Sequence, residues 1–181
     1  MRSAQSGDIF VLLTPSPTLS SSDFPWQLAW QARYGGTITD PLHVSLQRFI
    51  CPDEEQLGEV IRALQAATTR CTPLPLVGVD VRPLYSAFRE KYILKCRTER
   101  TSALQSLDDL INTLLETHGL TPHYRKLAVL ITVLEAIAKP VSMSPQPLPM
   151  PQPLFIGCQL VVSRVTGQER YDMIAQWDMH G

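Results

Sequence analysis

Hydrophobic and polar positions along the chain change period several times, and each change marks a predicted element. Asp8 to Thr14 is an unbroken apolar run that predicts a buried central strand. Pro15, Pro17 and the serines up to Ser22 predict a loop. Asp23 as N-cap and Pro25 in the first turn then predict a helix carrying Trp26 and Trp30 on one face and stopping at Gly35-Gly36. Strict alternation over Asp40–Phe49 predicts a strand with Leu42, Val44 and Leu46 on one face and His43, Ser45 and Gln47 on the other. After Pro52, Asp53 heads a second helix, with Gln56 as its capping-box partner and a stripe of Leu57, Val60, Ile61 and Leu64.

Leu76 to Pro83 and Tyr92 to Arg97 predict a strand pair. Thr101-Ser102 opens a third helix through Leu104, Leu107, Ile111 and Leu115, with Gly119 as its stop after His118. The apolar run Leu127 to Ala138 mixes strand-favouring Val129, Ile131, Thr132 and Val133 with helix-favouring residues, so it predicts a strand passing into a helix. Residues 139–153 hold six prolines in fifteen positions and predict an extended polyproline loop inserted at the surface, which could also dock a partner. Leu154–Val165 and Tyr171–Met179 predict a closing hairpin around Thr166-Gly167-Gln168-Glu169.

Composition narrows the classes. A chain of 181 residues suits one domain spanning 1–181, and its net charge of −1 offers no broad field for duplex DNA or an anionic membrane. Cys51, Cys71, Cys96 and Cys158 form no Cys-x-x-Cys pair, so neither a zinc ribbon nor a dithiol redox site is expected. With no recognisable leader or long apolar span, reduced thiols in a cytoplasmic, monomeric protein are the expectation. No glycine-rich phosphate loop precedes any helix.

The chemistry then centres on His43 and Ser45, whose backbones on one strand lie about 7 Å apart. An imidazole moves protons near neutral pH, and a neighbouring hydroxyl holds a phosphate oxygen. The plainer alternative is an edge strand with a solvated polar face. Similarly, the tryptophan pair fits packing better than base stacking, His118 fits a helix C-terminus, and His180 lies next to the chain end.

Pro41-Leu42-His43-Val44-Ser45-Leu46 resembles the first His-x-Thr/Ser motif of the 2H phosphoesterase superfamily, which includes 2′-5′ RNA ligase-like proteins and cyclic phosphodiesterases. Pro122-His123-Tyr124-Arg125-Lys126-Leu127 lies where the second motif is expected, its histidine 80 positions after His43. The order of elements resembles the family over nearly the whole chain. The resemblance implies an α+β fold: a two-lobed mixed sheet with helices packed on the outer faces. It also implies a metal-free, cofactor-free phosphodiesterase acting on a 2′,3′-cyclic phosphate or a 2′-5′ linkage at a nucleotide or RNA end. His43 and His123 would be the acid–base pair, and Ser45, Arg125 and Lys126 would bind phosphate. Arg125 stands where the second hydroxyl residue is expected. Either it replaces that hydroxyl as a donor, or His123 is not the second histidine, or the second half-site has decayed. In the last case the chain would bind a nucleotide or RNA end without cleaving it.

Overall fold

The computed structural model describes residues 4–16, 18–19, 23–87, 89–123, 129–167 and 170–181. Among these, nine strands and three helices follow in the order β1 (Asp8–Thr14), α1 (Pro25–Tyr34), β2 (Thr37–Ile38), β3 (Val44–Ile50), α2 (Glu54–Thr68), β4 (Leu74–Ser86), β5 (Lys91–Thr98), α3 (Ser102–Thr117), β6 (Leu130–Glu135), β7 (Gln146–Gly157), β8 (Gln159–Gly167) and β9 (Arg170–Asp178). The strands form two sheets, one ordered β3-β1-β8-β9 and the other β2-β6-β5-β4-β7, and the neighbouring strands pair antiparallel.

β1 lies between β3 and β8, with Ile9, Val11 and Leu13 in the core and Phe10, Leu12 and Thr14 on its other face. On the outer side of the four-stranded sheet sit α2 and α3. α2 starts where Asp53 accepts the amides of Glu55 and Gln56, as expected of an N-cap. Gln56 does not complete a capping box: its Oε1 accepts from Cys51 Sγ, and its Nε2 donates to the His118 carbonyl at the end of α3. His118 caps α3, its Nδ1 lying 2.8 Å from the Leu114 carbonyl. α1 packs on the other sheet. Its cap is Phe24, which makes no side-chain bond, rather than Asp23, and Pro25 opens the first turn. Trp26 and Trp30 meet edge to face against the core, and Trp26 Nε1 donates to the Leu154 carbonyl.

Three expectations are corrected. Within residues 129–138, the helical half of the run is absent: β6 ends at Glu135, and Ala136 has a positive φ of 50°. Ile131 and Thr132 pair with β5 and Leu134 and Glu135 with β2, and the few residues left before Pro140 are too short to nucleate a helix. The proline segment is not an inserted loop from Gln146 onward, where it becomes β7, the edge strand beside β4. Pro147, Pro149, Pro151 and Pro153 recur every second residue, a period that can turn each missing N–H to the free edge. The stretch Leu154–Val165 is two strands in different sheets: Leu154–Gly157 completes β7, and the chain crosses at Cys158 to start β8. The hairpin of β8 and β9 is present, although Gln168 and Glu169 lie outside the described residues. His180 is tied down, its amide donating to the Thr69 carbonyl at 2.8 Å.

The helical layer carries one electrostatic cost. Asp108 on α3 is buried, and its Oδ1 has no hydrogen-bond partner among the described residues. Burial, and next the Asp109 charge, push its carboxyl from 3.8 up to about 6, against the pull of Arg100 and Asn112. A carboxyl raised on folding stabilises the fold below its unfolded value and loses that contribution as pH rises through about 6. Asp108→Asn is therefore expected to raise the urea midpoint at pH 7.5 and to leave it nearly unchanged at pH 4. Equal shifts at both pH values would show that the ionised carboxyl carries no cost.

Candidate functional site

A cleft of about 1030 Å³ opens between the two sheets. One wall is built from β1, β3, β8 and β9, and the other from β5, β6 and the end of β4. Half-buried His43 and Ser45 both line it. Leu42, Val44 and Leu46 point the other way into the core, as the alternation predicts.

Gln47 does not join the cleft face. The pairing of β1 with β3 slips between Val11 and Leu12, so that Val11 faces Gln47 while Leu12 faces Ser45, and Leu46 is the extra residue. Beyond the slip the faces exchange. Gln47 is buried and donates to Asn112 Oδ1 of α3 at 2.6 Å, while Arg48 lines the cleft in its place.

β6 repeats this design on the opposite wall. Ile131 and Val133 are buried, Leu130 and Thr132 are half-buried, and the pairing with β5 slips so that Leu94 faces Leu134 while Lys95 faces Thr132. Val133 is the extra residue there, three positions after Leu130, just as Leu46 is three after His43. Thr132 and Glu135 line the cleft as Ser45 and Arg48 do. The repeat thus sets His43-Val44-Ser45 against Leu130-Ile131-Thr132, with leucine at the position of the histidine. Leu130 borders a smaller recess of about 300 Å³ on this sheet, where Arg97 pairs with Asp80 beside Arg82 and Arg100.

The cleft is cationic on the β5 side. Lys95 lines it directly across from Thr132 in register, and among the described residues no carboxylate pairs with it. Burial, then the charges of Arg89 and Arg82, lower its pKa. Arg89 also lines the cleft and pairs with Glu135, whose second oxygen lies 3.5 Å from Lys91 Nζ. His43 is held low chiefly by burial, with Arg89 and Lys95 adding to the shift and the bond to Pro41 opposing it. Its Nδ1 is 3.1 Å from the Pro41 carbonyl. A carbonyl only accepts, so Nδ1 carries the proton and the neutral ring keeps its Nε2 lone pair. Two hydroxyls at the cleft wall, Thr39 Oγ1 and Ser163 Oγ, are buried with no hydrogen-bond partner among the described residues.

His123 is not among the described residues lining the cleft beside His43. Its amide donates to the Arg48 carbonyl at 2.8 Å, and its Nε2 meets the Arg48 guanidinium. Arg48 is five residues along the chain from His43, about 16 Å of strand. Arg125 and Lys126 lie outside the described residues. Sequence reasoning missed Lys95, Arg89, Arg48 and Thr132. Of these, only Thr132 carries a local signal, an apolar alternation around it like the one around Ser45.

Two sheets facing across such a cleft, with a His-x-Ser strand on one wall, give this chain the 2H phosphoesterase-like fold. By sequence, no family model and no curated protein matches it. Solved structures are similar to it in fold. A phosphoesterase matches with a TM-score of 0.66 at 14% identity, over 97% of this chain and 99% of that one. Escherichia coli LigT complexed with 3′-AMP matches with a TM-score of 0.66 at 14% identity, over 98% of this chain and 100% of LigT. A protein of Thermus thermophilus, TT0787, matches with 0.61 at 14% identity, over 96% and 98%. No described helix is long and apolar enough to cross a membrane.

Proposed function

We propose that the cleft takes the phosphate-bearing end of a nucleotide or RNA strand, and that the chain is a metal-free phosphodiesterase acting on 2′,3′-cyclic phosphates or 2′-5′ linkages. The observation that carries this reading is the pairing of a neutral, proton-accepting His43 and Ser45 on one wall with Lys95, Arg89 and Thr132 on the other. His43 takes a proton from the attacking water, and the hydroxyls and cations hold the non-bridging oxygens as charge moves onto them. Thr39 and Ser163 offer buried hydroxyls to the rest of the ligand. The fold of LigT, which binds 3′-AMP, supports a nucleotide as the occupant.

Leu130, at the repeat position of His43, favours a second reading, in which the same end is bound and not cleaved. The test is to incubate the purified chain with a 2′,3′-cyclic nucleotide and follow phosphorus by NMR. Conversion of the cyclic signal to a monoester is the expected result. A shift of the cyclic signal without conversion would leave a binding protein, and no change at all would sink both readings.

A further inference from the structure

We propose that Lys95 supplies, from the second sheet, the proton that the leaving oxygen needs. The inference rests on the phosphodiesterase reading above and assigns the half of the chemistry that His43 cannot perform. General acid–base cleavage of a phosphodiester requires one group to accept a proton and another to give one. On the wall facing His43 the repeat position holds Leu130, which can do neither. Lys95 is the cross-strand neighbour of Thr132, the residue that repeats Ser45, and is one strand away from Leu130 on the same face. Lys95 and His43 line the same cleft from different sheets, which places the two groups across it from one another. An ammonium that lines a cleft, with no carboxylate partner among the described residues, attracts an anion there. The charged groups around it are Arg82 on β4, Arg89 in the β4–β5 turn, Glu135 on β6, and Asp40, His43 and Arg48 on the facing side. Glu135 is already held by Arg89 and Lys91.

The step balances. Water oxygen attacks phosphorus as its proton passes to His43 Nε2. The bond from phosphorus to the ribose oxygen breaks, and that oxygen takes a proton from the Lys95 ammonium. The products are a phosphomonoester and a free hydroxyl, and the imidazolium returns a proton to the lysine amine through water. The roles follow from the geometry: Nδ1–H of His43 is bound to the Pro41 carbonyl, which leaves Nε2 to accept, and the Lys95 ammonium on the opposite wall donates.

The test uses Lys95→Met and Lys95→Arg on two substrates, a 2′,3′-cyclic nucleotide and a nitrophenyl phosphodiester, whose departing nitrophenolate needs no proton. With Lys95→Met, kcat on the cyclic nucleotide is expected to fall about 10²-fold or more. Turnover of the nitrophenyl diester should fall far less, and the loss of rate at high pH that an ammonium donor predicts for the wild type should be absent. Lys95→Arg keeps the charge but cannot release the proton, so it should bind the cyclic nucleotide like wild type and still turn it over slowly. Methionine fills similar space without a charge, and a raised His43 pKa by NMR in that variant would confirm that the fold and the cleft persist. Equal losses on both substrates, or full rescue by arginine, would make Lys95 a fixed charge and overturn the proposal while leaving the phosphodiesterase reading intact. A wild-type chain that turns over neither substrate would overturn that reading, and this one with it.

Discussion

Replacing His43 with alanine is expected to lower turnover of a 2′,3′-cyclic nucleotide about 10²–10⁴-fold, the range for loss of one general base. The side chain is only half-buried and faces the cleft, so the fold should persist and nucleotide affinity should change little. The loss should therefore appear in kcat and not in KM. The wild-type pH profile adds an independent mark. His43 is held below the ordinary 6.5 by burial, with Arg89 and Lys95 adding to that. The rate should therefore climb with pH through a limb centred below 6.5, because the neutral ring is the active form. In the alanine variant that limb should disappear. His123→Ala makes the decisive comparison. In the structure His123 rests on Arg48 and does not line the cleft beside His43, so its removal should cost far less turnover. Equal losses in the two variants would restore a two-histidine mechanism, and unimpaired turnover by His43→Ala would end the role assigned to His43.

The contrast between these histidines shows what the sequence could disclose. His43 and Ser45 are legible because side chains alternate locally, and Leu42, Val44 and Leu46 fix which face is buried. The next residue on that face is not legible. The slip at Leu46 depends on the pairing with β1, some thirty residues away, and it replaces Gln47 by Arg48 in the cleft. Lys95 has the same difficulty: nothing in Tyr92–Arg97 says which face meets the other sheet, because that is set by β4 and β6 on either side. The proline segment is ambiguous for a different reason. Alternate prolines suit a polyproline helix and an edge strand equally, and only the presence of β4 alongside decides between them. Helices α2 and α3, by comparison, carry caps and apolar stripes within their own sequences, and their limits fall where those signals put them.

Arg48 links the cleft to the stability of the fold, and removing it is expected to cost about 3–5 kcal/mol, the usual penalty for breaking a buried ion pair. Its guanidinium lies 3.8 Å from Asp8 Oδ2, and the two side chains are 4% and 1% exposed. It also stands over the Phe10 ring at 5.9 Å and meets His123 Nε2. Arg48→Met would keep much of the packing but remove the guanidinium that faces the buried Asp8 carboxylate. The Gln5 amide also donates to Asp8 Oδ2, at 2.9 Å, and a neutral donor offsets only part of a lost charge. For a chain of this length the melting temperature should drop by about 10 °C or more. Asp8→Asn combined with Arg48→Met removes both charges, so the double variant should recover much of the lost stability. Thermal unfolding of the wild type, both single variants and the double gives the coupling directly. Additive losses would mean that Arg48 acts through Phe10 and His123 and not through Asp8. A strong coupling would instead make this ion pair the clamp that holds the far end of β3, and with it the slip that turns Arg48 toward the cleft.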